Sequence, residues 1–244
     1  APKTGKKIEQ KFPANDQPTN PNIDQNNQTL EVIRFSPEGD VPLAPDLNIT
    51  FSQPMVAVTG QEDAAKVQPV QLSPQTEGKW RWLGTNTLLF DAETRFPMAT
   101  KFTATIPKGT KSAIGGTLNQ DFTWTFTTPP PKIEGFAPKT PYEGVHPNNV
   151  FIGVKFNQEI EGNAVLQKVH VIANGKQFPV KLAGENNHDG WIEGIGEVKT
   201  KQWQTFRTVE TLPLNSEVTV IFAKGLPSAE GVGISETAQV FSFK

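Results

Sequence analysis

Phe122-Thr123-Trp124-Thr125-Phe126-Thr127-Thr128-Pro129-Pro130-Pro131 is the stretch whose reading decides the fold. Three aromatic residues alternate with threonines. In a strand successive side chains point to opposite faces, so this segment has one apolar face and one wet face. That is the pattern of an antiparallel sheet packed on one side only. The prolines that follow cannot donate ladder hydrogen bonds and hold the backbone extended and stiff. The spacing predicts a domain that ends at Thr128 and a short, semi-rigid linker over 129–132.

The same alternation extends outward on both sides. Before it, Leu47, Ile49 and Phe51 alternate with Asn48 and Thr50, and Phe102, Ala104 and Ile106 with Thr103 and Thr105. After it, Val150, Ile152, Val154 and Phe156 share one face, and Phe178, Val180 and Leu182 another. Val218, Val220 and Phe222 follow, then Phe241 and Phe243. The runs are short and bounded by Gly, Pro, Asn and Ser, as in a β-sandwich. Residues 1–29 are polar, with little to bury beyond Ile8, Phe12 and Ile23, and read as a flexible tail or tether. The predicted architecture is all-β. Two tandem Ig-like antiparallel β-sandwiches, over 30–128 and 133–244, follow the polar tail.

An internal repeat supports that division. At a constant offset of 116 positions, Phe90, Pro97, Thr103, Lys108, Gly109, Ser112, Ala113 and Gly115 recur as Phe206, Pro213, Thr219, Lys224, Gly225, Ser228, Ala229 and Gly231. Phe51-Ser52-Gln53-Pro54-Met55 also matches Phe156-Asn157-Gln158-Glu159-Ile160. The stretch Phe96-Pro97-Met98-Ala99-Thr100-Lys101-Phe102 rounds a corner into a strand, and Leu212-Pro213-Leu214-Asn215-Ser216-Glu217-Val218 is its partner. The glycines 109, 115, 116, 225 and 231 belong in the loop before each last strand, where a Cβ would hinder the turn.

Composition narrows the function classes. With 23 basic and 25 acidic residues the formal charge is −2, so no nucleic-acid partner is expected. No apolar run is long enough to span a bilayer. Cysteine is absent, which removes disulfides and thiol chemistry. There is no Gly-x-Ser-x-Gly elbow, no His-Glu-x-x-His spacing and no phosphate-binding glycine loop. His146, His170 and His188 are scattered. Glu62-Asp63, and Asp189 with Glu193, read as solvated loops. No catalytic, cofactor-binding or metal-ligating residue is predicted, and the chain is not expected to be an enzyme. Trp80 and Trp82 fall on one strand face with Leu88 or Phe90 opposite, which predicts core packing. Trp191, with His188, stands in the polar run 184–194 and is the candidate contact to a neighbouring domain or partner.

Phe51-Ser52-Gln53-Pro54-Met55-Val56, Trp80-Arg81-Trp82-Leu83-Gly84-Thr85, Arg95-Phe96-Pro97-Met98-Ala99-Thr100 and Lys108-Gly109-Thr110-Lys111-Ser112-Ala113 carry a family resemblance. So does Leu226-Pro227-Ser228-Ala229-Glu230-Gly231 in the second half. Over residues 30–244 the chain resembles the tandem Ig-like (macroglobulin-type) domains near the N-terminus of bacterial α-2-macroglobulins. The resemblance implies a non-catalytic piece of an exported protease-trapping inhibitor, without the bait segment and, lacking cysteine, without the thioester. It also implies a periplasmic or cell-envelope location and downstream domains of the same polypeptide as partners. Target proteases would be met only through the full-length parent. The opening Ala1-Pro2-Lys3 fits an exported protein after processing and equally an artificial start, and the resemblance implies a membrane tether through the N-terminus. Two other readings stay open. One is a spacer or adhesive Ig-like module of a surface or S-layer-type protein. The other is a carbohydrate-binding accessory module using surface tryptophans.

Overall fold

The computed structural model describes residues 29–57, 64, 66–138, 150–183 and 201–244. In the first half, one sheet joins β1 (Val32–Ser36), β3 (Asp46–Phe51), β6 (Thr87–Ala92) and β5 (Gly78–Leu83) in the order β1-β3-β6-β5. The facing sheet runs β2 (Gly39–Asp40), β8 (Phe122–Thr127), β7 (Lys101–Ile106) and β4 (Gln71–Ser73). All pairings are antiparallel except the short β2–β8 pair. The alternation that marked these strands becomes their burial. Leu47, Ile49 and Phe51 on β3, and Phe102, Ala104 and Ile106 on β7, are fully buried. Their Thr and Asn neighbours are only half-buried.

The second half repeats this order. One sheet is β9 (Ile133–Ala137), β10 (Phe151–Phe156), β14 (Trp203–Thr208) and β13 (Val180–Leu182). The other is β16 (Gln239–Phe243), β15 (Val218–Phe222), β11 (Val169–Ala173) and β12 (Lys176–Phe178). Strand for strand, β1, β3, β4, β5, β6, β7 and β8 correspond in chain order to β9, β10, β11, β13, β14, β15 and β16. Among the described residues, only β2 in the first copy and β12 in the second lack a counterpart. A short helix, α1 (Gly162–Leu166), is capped by the Glu161 carboxylate, which accepts from Ala164 N.

Each copy closes its own core. In the first, Phe96, Phe102 and Phe126 pack ring on ring, with centroids 4.9 to 5.1 Å apart. In the second, Ile152, Val154, Phe156, Phe206, Val220 and Phe222 are wholly buried. Phe178, Val180 and Leu182 do all pack on this core, but not as one strand face. Pro179 cannot donate to a ladder, so the chain switches sheets there, β12 pairing with β11 and β13 with β14. Thr29, at the end of the polar stretch, already bridges to Thr117. The rest of that stretch, 1–28, lies outside the described residues.

Candidate functional site

The site that the structure builds most fully is the joint between the two sandwiches. It rests on the duplicated loop before each last strand. In the first copy the buried Gln53 side chain accepts from Ser112 Oγ (2.6 Å), and Ser112 Oγ accepts from Gly116 N (2.8 Å). In the second copy Gln158 accepts from Ser228 Oγ (2.9 Å), which in turn accepts from Glu230 N (2.9 Å) and Gly231 N (3.2 Å). The backbone follows suit: Ala113 N donates to Pro54 O, and Ala229 N to Glu159 O. The repeated Gln and Ser therefore satisfy buried polar groups and anchor the base of the loop in both copies.

The two loops differ at the tip. Where the first copy has Ile114, the second has Glu230, and Glu230 reaches across the joint. Arg95 Nη1 and Nη2 donate to its two oxygens at 2.6 and 2.8 Å. Met98 N donates to Oε2 (2.9 Å) and Glu159 N to Oε1 (2.7 Å). The Arg95 and Glu230 side chains are only 21% and 13% exposed, so water screens this forked pair weakly. Burial alone would raise the Glu230 pKa. The Arg95 hydrogen bond and the N–H groups of Glu159 and Met98 outweigh it and hold the carboxyl below its ordinary value.

The receiving surface is the corner of the first sandwich. Ala99 sits at φ 53°, a left-handed conformation uncommon for a residue with a Cβ. Its carbonyl accepts from Gly233 N (2.7 Å), and its N–H donates to Pro129 O (2.9 Å). The Thr128 hydroxyl accepts from Thr100 N and donates to Pro97 O (2.7 Å). A Cβ on Gly231 would run into Thr100 Oγ1 and the Met98 and Ala99 carbonyls, so glycine is needed here for close approach. The linker is held as well. Asn157 Nδ2 donates to Pro130 O (3.1 Å), Asn157 Oδ1 accepts from Lys132 N (2.9 Å), and Gln158 Nε2 reaches Pro129 O (3.4 Å).

Trp80 and Trp82 lie opposite Phe90 and Leu88, as their spacing predicts. Trp82 is buried and donates from Nε1 to Val67 O (3.1 Å). Trp80 packs on Phe90 with centroids 4.8 Å apart. Its half-buried ring lines a cavity of about 580 Å³ between the β4 and β5 edges, with Gln71, Thr76 and Thr103. Trp191 and His188 lie outside the described residues, as do His146, Glu62-Asp63, Asp189 and Glu193. Of the histidines His170 is described, on β11, with Gln177 beside its Nδ1. Among the described residues no three His, Cys, Asp or Glu side chains group as metal ligands. Arg95 and Glu230 both fall in motifs that carry the family resemblance, but nothing local in the sequence marks them as partners. The available signal is the offset of 116, which sets Ser228-Ala229-Glu230-Gly231 on Ser112-Ala113-Ile114-Gly115 with one charge exchanged for an apolar residue.

Residues 26–128 match the family model described as Bacterial Ig-like domain. An α-2-macroglobulin homolog from Nostoc sp. is 22% identical over 214 residues, covering 82% of this chain and 11% of its own length. The chain thus spans about a tenth of that relative. Among solved structures, native α-2-macroglobulin from Escherichia coli spanning domains MG0-NIE-MG1 is 15% identical. That match covers 88% of this chain and 71% of the other, with a TM-score of 0.31. An L,D-transpeptidase from Mycobacterium tuberculosis, also 15% identical, covers 65% of this chain and 60% of the other, with a TM-score of 0.29. Scores this low carry neither an arrangement nor an activity over to this chain. The chain is a tandem of Ig-like sandwiches whose first unit matches the bacterial Ig-like domain model and whose sequence is similar to that of an α-2-macroglobulin homolog.

Proposed function

We propose that this tandem is a non-catalytic scaffold segment of an exported, α-2-macroglobulin-like protease-trapping protein of the bacterial periplasm or cell envelope. Its task is to hold neighbouring domains of the same polypeptide at a fixed spacing. Target proteases are met through the full-length parent, and a tether at the N-terminal side would hold the assembly to the membrane. The observation that carries the reading is the Glu230 joint. Two closed cores are locked by a forked, largely buried ion pair and two backbone donors, an arrangement suited to transmitting position. The relationship to the Nostoc sp. homolog supports it.

The test uses the full-length parent and the 244-residue chain side by side with trypsin. The parent is expected to suppress cleavage of a protein substrate, and the tandem alone to leave it unaffected. A parent that leaves trypsin fully active contradicts the protease-trapping role. Suppression by the tandem alone contradicts the scaffold role. A second reading, glycan binding, is favoured by the Trp80 cavity with its Gln and Thr lining. Glycan-array binding lost in Trp80→Ala would support it.

A further inference from the structure

The corner that receives the Glu230 loop exists twice, and among the described residues only the first copy is covered by a neighbouring sandwich. Phe96, Pro97, Met98, Ala99 and Thr100 correspond to Leu212, Pro213, Leu214, Asn215 and Ser216. The backbone is the same in both: Ala99 has φ 53° and Asn215 φ 51°. The hydroxyls repeat, with Thr100 Oγ1 donating to Met98 O (2.9 Å) and Ser216 Oγ to Leu214 O (3.1 Å). Burial matches at both ends of the motif, with Phe96 0% and Leu212 3% exposed, and Thr100 7% and Ser216 8%. It departs in the middle. Met98 is 4% exposed and Leu214 75%; Ala99 is buried and Asn215 exposed. These two positions are where the second sandwich sits on the first, through Met98 N, Ala99 O and the Gly231 contact.

We infer that the corner from Thr211 to Ser216 is a docking socket for the last-strand loop of a third Ig-like sandwich following in the same polypeptide. This rests on the proposed scaffold reading and assigns the surface on which the next unit would seat. Leu214 projects from a shallow depression bordered by Val150, Phe243 and Lys244. By ladder register Lys244 stands where Thr127 stands in the first copy, since Phe102 pairs with Phe126 and Val218 with Phe243. A chain continuing from Lys244 would therefore cross this corner, as Thr128 and Pro129 cross the other.

The socket also specifies its occupant. Thr211 replaces Arg95, so no carboxylate is required at the tip of the incoming loop. Leu214 favours an apolar tip, and Ser112-Ala113-Ile114-Gly115 in this chain shows that the loop frame accepts one. A glycine would be needed beside the Asn215 carbonyl, as Gly233 is beside that of Ala99.

The experiment compares amide hydrogen exchange in the 244-residue chain and in the same chain extended by the next sandwich-sized segment, roughly a hundred residues, of its gene. Exchange at Leu214 and Asn215 should slow by about tenfold or more in the extended protein. Leu214→Asp should restore fast exchange there, while leaving the melting temperature of the 244-residue chain unchanged. Equal exchange in the two chains, when the extension does hold a folded sandwich, overturns the socket and leaves the scaffold reading standing. An extension with no sandwich overturns both. Leu214→Asp lowering the melting temperature of the 244-residue chain would show that Leu214 serves its own core, and also overturns the socket.

Discussion

Glu230 concentrates the residue-scale chemistry of this chain. It replaces the apolar Ile114 of the first copy, and its two oxygens take four hydrogen bonds from both sides of the joint. Glu230→Ala strands a largely buried guanidinium and leaves two backbone donors without this acceptor. The expected loss is about 2 kcal/mol of coupling between the sandwiches, read by denaturant titration of the tandem. Glu230→Gln keeps the shape and removes the charge, and should lose less. The pH dependence has a definite sign. The folded pKa lies below the unfolded value of about 4.3, so the stabilisation is complete above that value. It is lost as pH falls through the folded pKa. The stability gap between wild type and Glu230→Ala should therefore be constant at neutral pH and close in the acid range. A gap that widens on acidification contradicts this role. None of it is legible locally, because an acid in a Ser-x-x-Gly loop reads as solvated and its partner Arg95 is 135 positions away.

At the scale of elements, legibility follows one-sided burial. β3, β7, β8 and β15 each bury one face, and the period-2 pattern of their residues is enough to locate them. Phe178-Pro179-Val180 misleads because alternation continues through the proline while the strand does not. Sheet switching is a tertiary choice that the pattern does not encode. The corner is legible as a turn, but its sealing is not. The hydroxyls of Thr100 and Thr128 seal the first corner and that of Ser216 the second. Separate cores make a further prediction. Phe206→Ala empties a fully buried site in the second sandwich and should cost about 3–5 kcal/mol there. Calorimetry should then resolve two transitions, the first sandwich melting close to its original temperature. A single transition shifted as a whole would mean that the cores unfold together. Gly231→Ala acts between the cores. Its Cβ meets Thr100 and the Met98 and Ala99 carbonyls, so it should loosen the joint while both sandwiches stay folded. Intact amide protection on β7 and β15, with faster exchange at Ala99 and Gly233, is the expected signature.

The whole molecule is two copies of one fold joined by a built contact. The triple proline stiffens the linker, but stiffness alone does not set an angle. Asn157 and Gln158 hold the linker from the second sandwich, and Ala99 N holds Pro129 from the first. The Arg95–Glu230 fork then fixes the rotation. Trp191 and His188, the contact candidates by sequence, lie outside the described residues. The described joint is made by a loop and a corner whose sequences read only as turns. The two sandwiches are therefore expected to tumble as one body. Backbone residual dipolar couplings measured in one weakly aligning medium test this directly. A single alignment tensor should fit the amides of β1 to β16 in the wild-type chain, and Arg95→Ala/Glu230→Ala should require a separate, weaker tensor for one sandwich. Two independent tensors in the wild-type chain at neutral pH would contradict the account.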